Sequence, residues 1–210
     1  MAGFFVVLEG PEGAGKSTLA RGLAARLRAA GIEPVMVREP GGTPAAEALR
    51  HELLHDDRQW SPEAELLYIT AARADLVAKV IRPALEAGRV VISDRFDLST
   101  RAYQVGGRGL PAAEVDWVNR AATGGLGANL TLVLDVPVDV GQARQIAQGK
   151  VRDRLDRETA EFHHRVAQVY REASGTGVVH LDATAPPDQL EAAAWRAFIS
   201  AAPGRFGADS

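Results

Sequence analysis

Five short apolar runs rich in β-branched residues recur along the chain, at 4–8, 34–37, 89–93, 130–136 and 178–181. Stretches such as Val90-Val91-Ile92 lack polar alternation, so they predict strands covered on both faces. Between the runs lie longer segments that read as helices, over 17–30, 44–54, 62–87, 112–123, 139–148, 157–173 and 186–201. Ser61 followed by Pro62 supplies a helix start, and Gly31 and Gly88 mark helix ends. Strands alternating with helices predict a three-layer α/β fold, a five-stranded parallel sheet flanked by helices. No internal repeat or low-complexity segment interrupts this order, and 202–210 reads as a loose tail.

Composition narrows the class of partner. The 210 residues, 46% of them hydrophobic, suit one domain with a substantial core. Charged residues make up 24% and the formal net charge is −3, so no global basic field recruits nucleic acid or an anionic membrane. The absence of cysteine excludes disulfides, thiolate catalysis and Cys-ligated zinc, and fits a reducing compartment. The first apolar run is strand-length and leads to no cleavage site, and no run reaches membrane-spanning length. A cytoplasmic protein is the expectation.

Directly after the first predicted strand, Gly10-Pro11-Glu12-Gly13-Ala14-Gly15-Lys16-Ser17 matches G-x-x-x-x-G-K-[ST] at every fixed position. In such a loop backbone N–H groups converge on a polyphosphate, the lysine reaches the β and γ oxygens and the hydroxyl takes Mg2+. A strand before and a helix after are the context the motif requires. Residues Gly10 to Thr18 are therefore expected to bind ATP in a P-loop NTPase fold.

At the end of the third predicted strand stands Asp94-Arg95-Phe96-Asp97-Leu98-Ser99-Thr100-Arg101-Ala102-Tyr103-Gln104. Strand ends carry ligand sites in such sheets. Asp94 is placed to reach the metal, with Arg95 extended toward a second anionic group. Arg38-Glu39-Pro40-Gly41-Gly42-Thr43 brings another arginine to the same edge of the sheet. Arg73, inside the long helix, is either a solvated residue or part of this site. Arg144, Lys150, Arg152, Arg154 and Arg157 concentrate positive charge at 144–157. That segment reads either as a solvated charge run or as a lid that closes over the transferring phosphoryl. The glycines at 124–127 read as loop punctuation.

Taken in order, Leu8-Glu9-Gly10 through Lys16-Ser17, 38–43, Ala72-Arg73, Asp94-Arg95-Phe96, Ser99 to Gln104, 106–109 and Leu134-Asp135 resemble the bacterial thymidylate kinase family over nearly the whole chain. The resemblance implies one nucleoside monophosphate kinase domain over 1–210 that moves the ATP γ-phosphoryl to dTMP with Mg2+. It implies that Lys16 and Ser17 hold ATP and metal, that Arg38 and Arg95 bind the dTMP phosphate, that Arg73 hydrogen-bonds the thymine carbonyl, that Thr100 and Gln104 read its N3 edge, and that Ser99 also lines the dTMP site. Tyr103 would pack on the deoxyribose, and Glu12 would bond the 3'-hydroxyl and order the metal site. The loop Pro11-Glu12-Gly13-Ala14 carries no arginine, as in the form of the family whose catalytic arginine lies in the lid. The candidates here are Arg152, Arg154 and Arg157, with Arg144 directed at adenine. Ile69 stands where relatives place a phenylalanine against thymine, which predicts weaker dTMP affinity. The resemblance further implies a homodimer packed through helices, including 62–87. Another pyrimidine nucleotide or nucleoside as acceptor, or a P-loop ATPase switch, are the competing readings.

Overall fold

The computed structural model describes residues 3–55, 59–149, 151 and 153–204. Five parallel strands form one sheet: β1 (Phe4–Glu9), β2 (Val35–Arg38), β3 (Val90–Asp94), β4 (Leu130–Asp135) and β5 (Val178–Asp182), in the order β2-β3-β1-β4-β5. Each agrees with its predicted run to within one residue at either end.

The run in β1 is continuous because both faces are covered. Phe4, Val6 and Leu8 pack toward Leu23, Leu27 and Phe198, which belong to α1 (Lys16–Ala29) and the C-terminal helix. Phe5 and Val7 meet Val91, Phe96, Leu76 and Ile81 on the opposite face. Burying side chains of this size contributes about 1.5–3 kcal/mol each. Glu9 continues the Phe5–Val7 face and is fully buried, a carboxylate where an apolar side chain is the rule.

The remaining helices are α2 (Pro44–His55), α3 (Pro62–Leu76), α4 (Arg82–Glu86), α5 (Asp97–Thr100), α6 (Ala112–Thr123), α7 (Val138–Ala147), α8 (Ala160–Arg171) and α9 (Pro187–Ala201). A π-helical turn at Val77–Ile81 joins α3 to α4, giving one rod where a single helix is predicted. Ser61 caps α3 by accepting from the Ala64 N–H at 3.2 Å. Gly124, with φ 58°, ends α6.

Three features depart from the sequence reading. No element is predicted at 97–107, yet α5 there continues into a π-helical stretch, Arg101–Gly107. Its inward side chains include Ser99, Thr100 and Gln104, so the apolar signal of a buried helix is missing; π-helical turns concentrate at functional sites. The helix predicted from residue 157 begins instead at Ala160, capped by Thr159. Before it, the Asp153 and Asp156 carboxylates bond each other's backbone N–H and close a turn. Finally, Ala202 is buried against the α1–α9 core rather than loose; residues 205–210 lie outside the described residues.

Parallel pairing sets Leu8 beside Asp94 and Asp94 beside Arg38. The loops that follow β1, β2 and β3 therefore open on one edge, at the carboxyl ends of the strands. Among the described residues, no helix is long and apolar enough to cross a membrane.

Candidate active site

The loop after β1 is shaped by glycine. Gly13 has φ 72°, and a Cβ there would lie 2.1 Å from the Gly141 carbonyl at the start of α7. Gly15, φ 93°, is the N-cap of α1 without a side-chain cap bond, and a Cβ on it would meet no atom within 4 Å. The N-terminus of α1 thus faces open space, with the positive end of its dipole toward any anion that enters. Lys16 Nζ donates to the carbonyls of Gly10 (3.0 Å) and Pro11 (2.8 Å). Burial, and next the Arg95 charge, lower its pKa to about 8.

Ser17 Oγ donates to Asp94 Oδ2 at 2.6 Å. These two oxygens fit the hard-donor requirement of Mg2+. Among the described residues no group of three or more His, Cys, Asp or Glu forms a metal cage. Farther out, Arg144 Nη1 donates to the Ala183 carbonyl at 2.8 Å, at the end of β5.

Arg95 follows β3 with φ 77°, the one non-glycine residue with positive φ among those described. Such a backbone costs about 1–3 kcal/mol and persists only where surroundings impose it. Here its N–H donates to the Leu8 carbonyl and its own carbonyl accepts from Ser93 Oγ. The guanidinium donates to the Gly10 carbonyl (3.2 Å), Ser99 Oγ (3.0 Å) and Tyr170 Oη (2.8 Å), pairs with Glu12 and reaches Tyr103 Oη. Glu9 supports this cluster from below: Phe96 N, Ser99 N and Ser99 Oγ all donate to its carboxylate. Burial raises the Glu9 pKa to about 7 against the Arg95 charge and these bonds.

Arg38, half exposed, pairs with Glu47 at 2.9 Å. Beside it Arg50, in α2, donates to the Pro40 carbonyl and lines the same cleft. Burial and then Arg38 lower the Arg50 pKa. With Arg73 at its inner end, Arg38, Arg50, Arg95 and Lys16 therefore bring five cations to one cleft.

At the inner end Arg73 is 1% exposed, which rules out the solvated-helix reading. Its N–H groups are saturated by Glu39 Oε2, Thr100 Oγ1, Asn119 Oδ1 and the Phe96 carbonyl. Burial raises the pKa of Glu39 against the Arg73 charge. Gln104 Nε2 donates to Glu65 Oε1 at 2.8 Å, while Gln104 Oε1 and Glu39 Oε1 are buried without a partner. Ile69 supplies an apolar wall with Leu53, Leu54 and Leu155.

The basic segment after α7 folds onto the cleft. The Arg154 N–H and Nε donate to the Leu54 and Leu53 carbonyls, and Nη2 bonds Glu65. Arg154 is thus engaged with α2 and α3 rather than with the P-loop. Arg157 is exposed, its N–H donating to the Asp153 carbonyl. Lys150 and Arg152 lie outside the described residues.

One cavity of about 340 Å3 joins these parts, running from Lys16 and Ser17 past Arg38 and Arg95 to Arg73 and Gln104. Of its lining, Glu39, Arg50, Leu54, Gln145, Asp153 and Leu155 carry no role in the sequence reading. Glu9, Glu65, Asn119 and Tyr170, which hold the lining in place, carry none either. Glu9 alone had a local signal, a carboxylate closing a strand of buried residues. The others become visible only when helices distant in sequence meet.

The family model for thymidylate kinase matches residues 8–194. A protein named thymidylate kinase from Pseudomonas fluorescens (strain Pf0-1) is 52% identical over 171 residues, 81% of each chain. One from Thermomicrobium roseum is 47% identical over 195 residues, 91% of this chain and 92% of that one. The chain belongs to the thymidylate kinase family.

Proposed function

We propose that this protein, as a thymidylate kinase, transfers the γ-phosphoryl of ATP to dTMP, yielding dTDP and ADP for dTTP synthesis. The observation that carries the reading is the single cleft in which a P-loop and a second, arginine-rich pocket face each other at the ends of β1, β2 and β3.

Phosphoryl transfer asks the protein for position and charge more than for covalent chemistry. In this reading residues Gly10 to Thr18 cradle the ATP phosphates, and Arg144 approaches adenine. Lys16 exchanges its two backbone carbonyls for the β and γ oxygens, keeping its proton because an anion favours the charged amine. Ser17 and Asp94 hold Mg2+, which when bound neutralises the donor oxygens. Arg38 and Arg95 bind the acceptor phosphate. Arg95 exchanges Glu12 for phosphate, and the Glu12 carboxylate, which also accepts from Tyr103 Oη and Gln145 Nε2, turns to the sugar 3'-hydroxyl. Tyr103 packs on the deoxyribose, Ile69 on the base, and Arg73, Ser99, Thr100 and Gln104 surround the acceptor nucleoside. The arginine missing from the P-loop comes from Arg152, Arg154 or Arg157; alanine at each, with turnover measured, identifies it, and three unaffected variants would eliminate a lid arginine.

The same reading places the protein in the cytoplasm as a homodimer, with neither nucleic acid nor membrane as partner. Support for the dimer comes from Leu67 on α3 and Trp117 on the adjacent α6, 58% and 70% exposed. Light scattering after size exclusion checks it.

ADP release with dTMP, dUMP, UMP, CMP, AMP, thymidine or no acceptor tests the activity. Turnover that depends on dTMP is expected. Hydrolysis indifferent to acceptor would point to an ATPase switch, and use of thymidine but not dTMP to a nucleoside kinase.

A further inference from the structure

Glu65 lies on α3 one turn before Ile69 and two turns before Arg73, and it is fully buried. Four N–H groups converge on its carboxylate. Oε1 accepts from Gln104 Nε2 at 2.8 Å and Arg108 Nε at 3.0 Å; Oε2 accepts from Arg108 Nη2 at 2.9 Å and from Arg154 Nη2. Burial opposes ionisation, but the Arg108 and Arg154 bonds outweigh it and hold the carboxyl below the usual range. An ionised carboxylate only accepts hydrogen bonds.

That restriction fixes a choice otherwise free in a glutamine. A carboxamide carries a donor at one end and an acceptor at the other, and a half-turn exchanges them. Against Glu65 only the donor end is tolerated; the reverse orientation would set Gln104 Oε1 against a carboxylate oxygen. Oε1 is thereby left as the buried, unpartnered end of Gln104, whose side chain forms part of the cleft wall beside Thr100 and Arg73.

We propose that Glu65 is a specificity-determining positioning residue: it locks the Gln104 carboxamide with its acceptor end toward the pocket, so that the acceptor base must donate a hydrogen bond at that edge. The N3–H of an imide base such as thymine satisfies Gln104 Oε1. Cytosine presents a lone pair at N3 and leaves two acceptors opposed, the kind of mismatch that costs a site built around hydrogen bonds far more than a missing methyl does. Glu65 acts through Gln104 and touches no substrate. The inference rests on the dTMP kinase reading given above.

The test compares dTMP with dCMP, which share phosphate and sugar, in the wild type and in Glu65→Gln. Steady-state turnover gives kcat/KM for each nucleotide, and titration calorimetry gives Kd. In the variant a side-chain amide at position 65 accepts the reversed Gln104, and the preference for dTMP should shrink at least tenfold. A merely structural loss lowers both nucleotides together and leaves their ratio unchanged, which would overturn the proposal. A wild type without dTMP-dependent turnover would instead overturn the kinase reading itself. Should Glu65→Gln fail to fold, the wild type decides: its Gln104 side-chain amide protons should be protected from solvent exchange equally with and without bound dTMP. Loss of that protection on binding would mean that Nε2 leaves Glu65, and the lock would be refuted.

Discussion

The two ends of the cleft are built on different principles. The donor end is a contiguous loop, Gly10 to Ser17, whose function lies in backbone direction and in the uncapped start of α1. The acceptor end is a set of side chains from β1, α3, α5, its π-helical continuation, α6 and the turns after β2 and β3, whose inner members are held by other buried polar groups. Glycine geometry makes the first, because only residues without Cβ let the chain close around a polyphosphate. Satisfied buried charge makes the second, because a guanidinium or carboxylate out of water persists only with partners. A site that grips a phosphate needs few residues and little depth. Reading a base requires donors and acceptors fixed in a dry wall, so its supports are as numerous as its contacts.

Substitutions can break this distinction, the largest effect coming from the acceptor wall. Arg73→Met leaves Glu39 buried without its cation and should lower stability by about 3–5 kcal/mol, read from urea unfolding. Arg38→Met removes an exposed pair and should change stability by less than about 1 kcal/mol; equal losses in the two would erase the contrast between buried and rim arginines.

On the donor side, Lys16→Met should cut kcat by about 100- to 1000-fold while dTMP affinity by calorimetry stays within about twofold, a margin of under 0.5 kcal/mol. Because phosphate favours the protonated amine and free Lys16 loses its proton near pH 8, ATP affinity of the wild type should decline above that pH. A fall of dTMP affinity as large as the loss of kcat would mean that the two ends are not separate.

Glu9 sits under both ends. Its folded-state pKa of about 7 exceeds the ordinary 4.5, so the folded protein holds the proton more tightly than the unfolded chain. The resulting stability is complete below the unfolded value and is lost as pH rises through the folded one. Unfolding free energy should therefore decline across this window by at most about 1.4 kcal/mol per pH unit, and Glu9→Gln should flatten the slope. An unchanged slope in the variant would assign it to another group.

The smallest effect concerns the apolar wall. Ile69→Phe should lower the Michaelis constant for dTMP by about threefold to tenfold, corresponding to about 0.5–1.5 kcal/mol of aromatic contact. An unchanged or raised constant would show that the wall formed with Leu53, Leu54 and Leu155 already packs the base as well as a ring does.

Sequence by itself determined what is local. Continuous apolar runs require a sheet covered on both sides, and the P-loop states its ligand because its function is a property of consecutive backbone groups. The order of the motifs also carried the family. Tertiary structure alone decided what depends on partners far along the chain. Arg73 reads as solvated or functional until Glu39, Thr100 and Asn119 surround it. That the Arg154 guanidinium rests on Glu65 cannot be read from the basic run around it. The helix at 97–107 stays hidden because Ser99, Thr100 and Gln104 interrupt its inward face, and those side chains are stable there only against buried partners such as Glu9, Arg73 and Glu65. Burial changes the meaning of a charge, and no local pattern of residues records how deeply a side chain will be buried or what will meet it there.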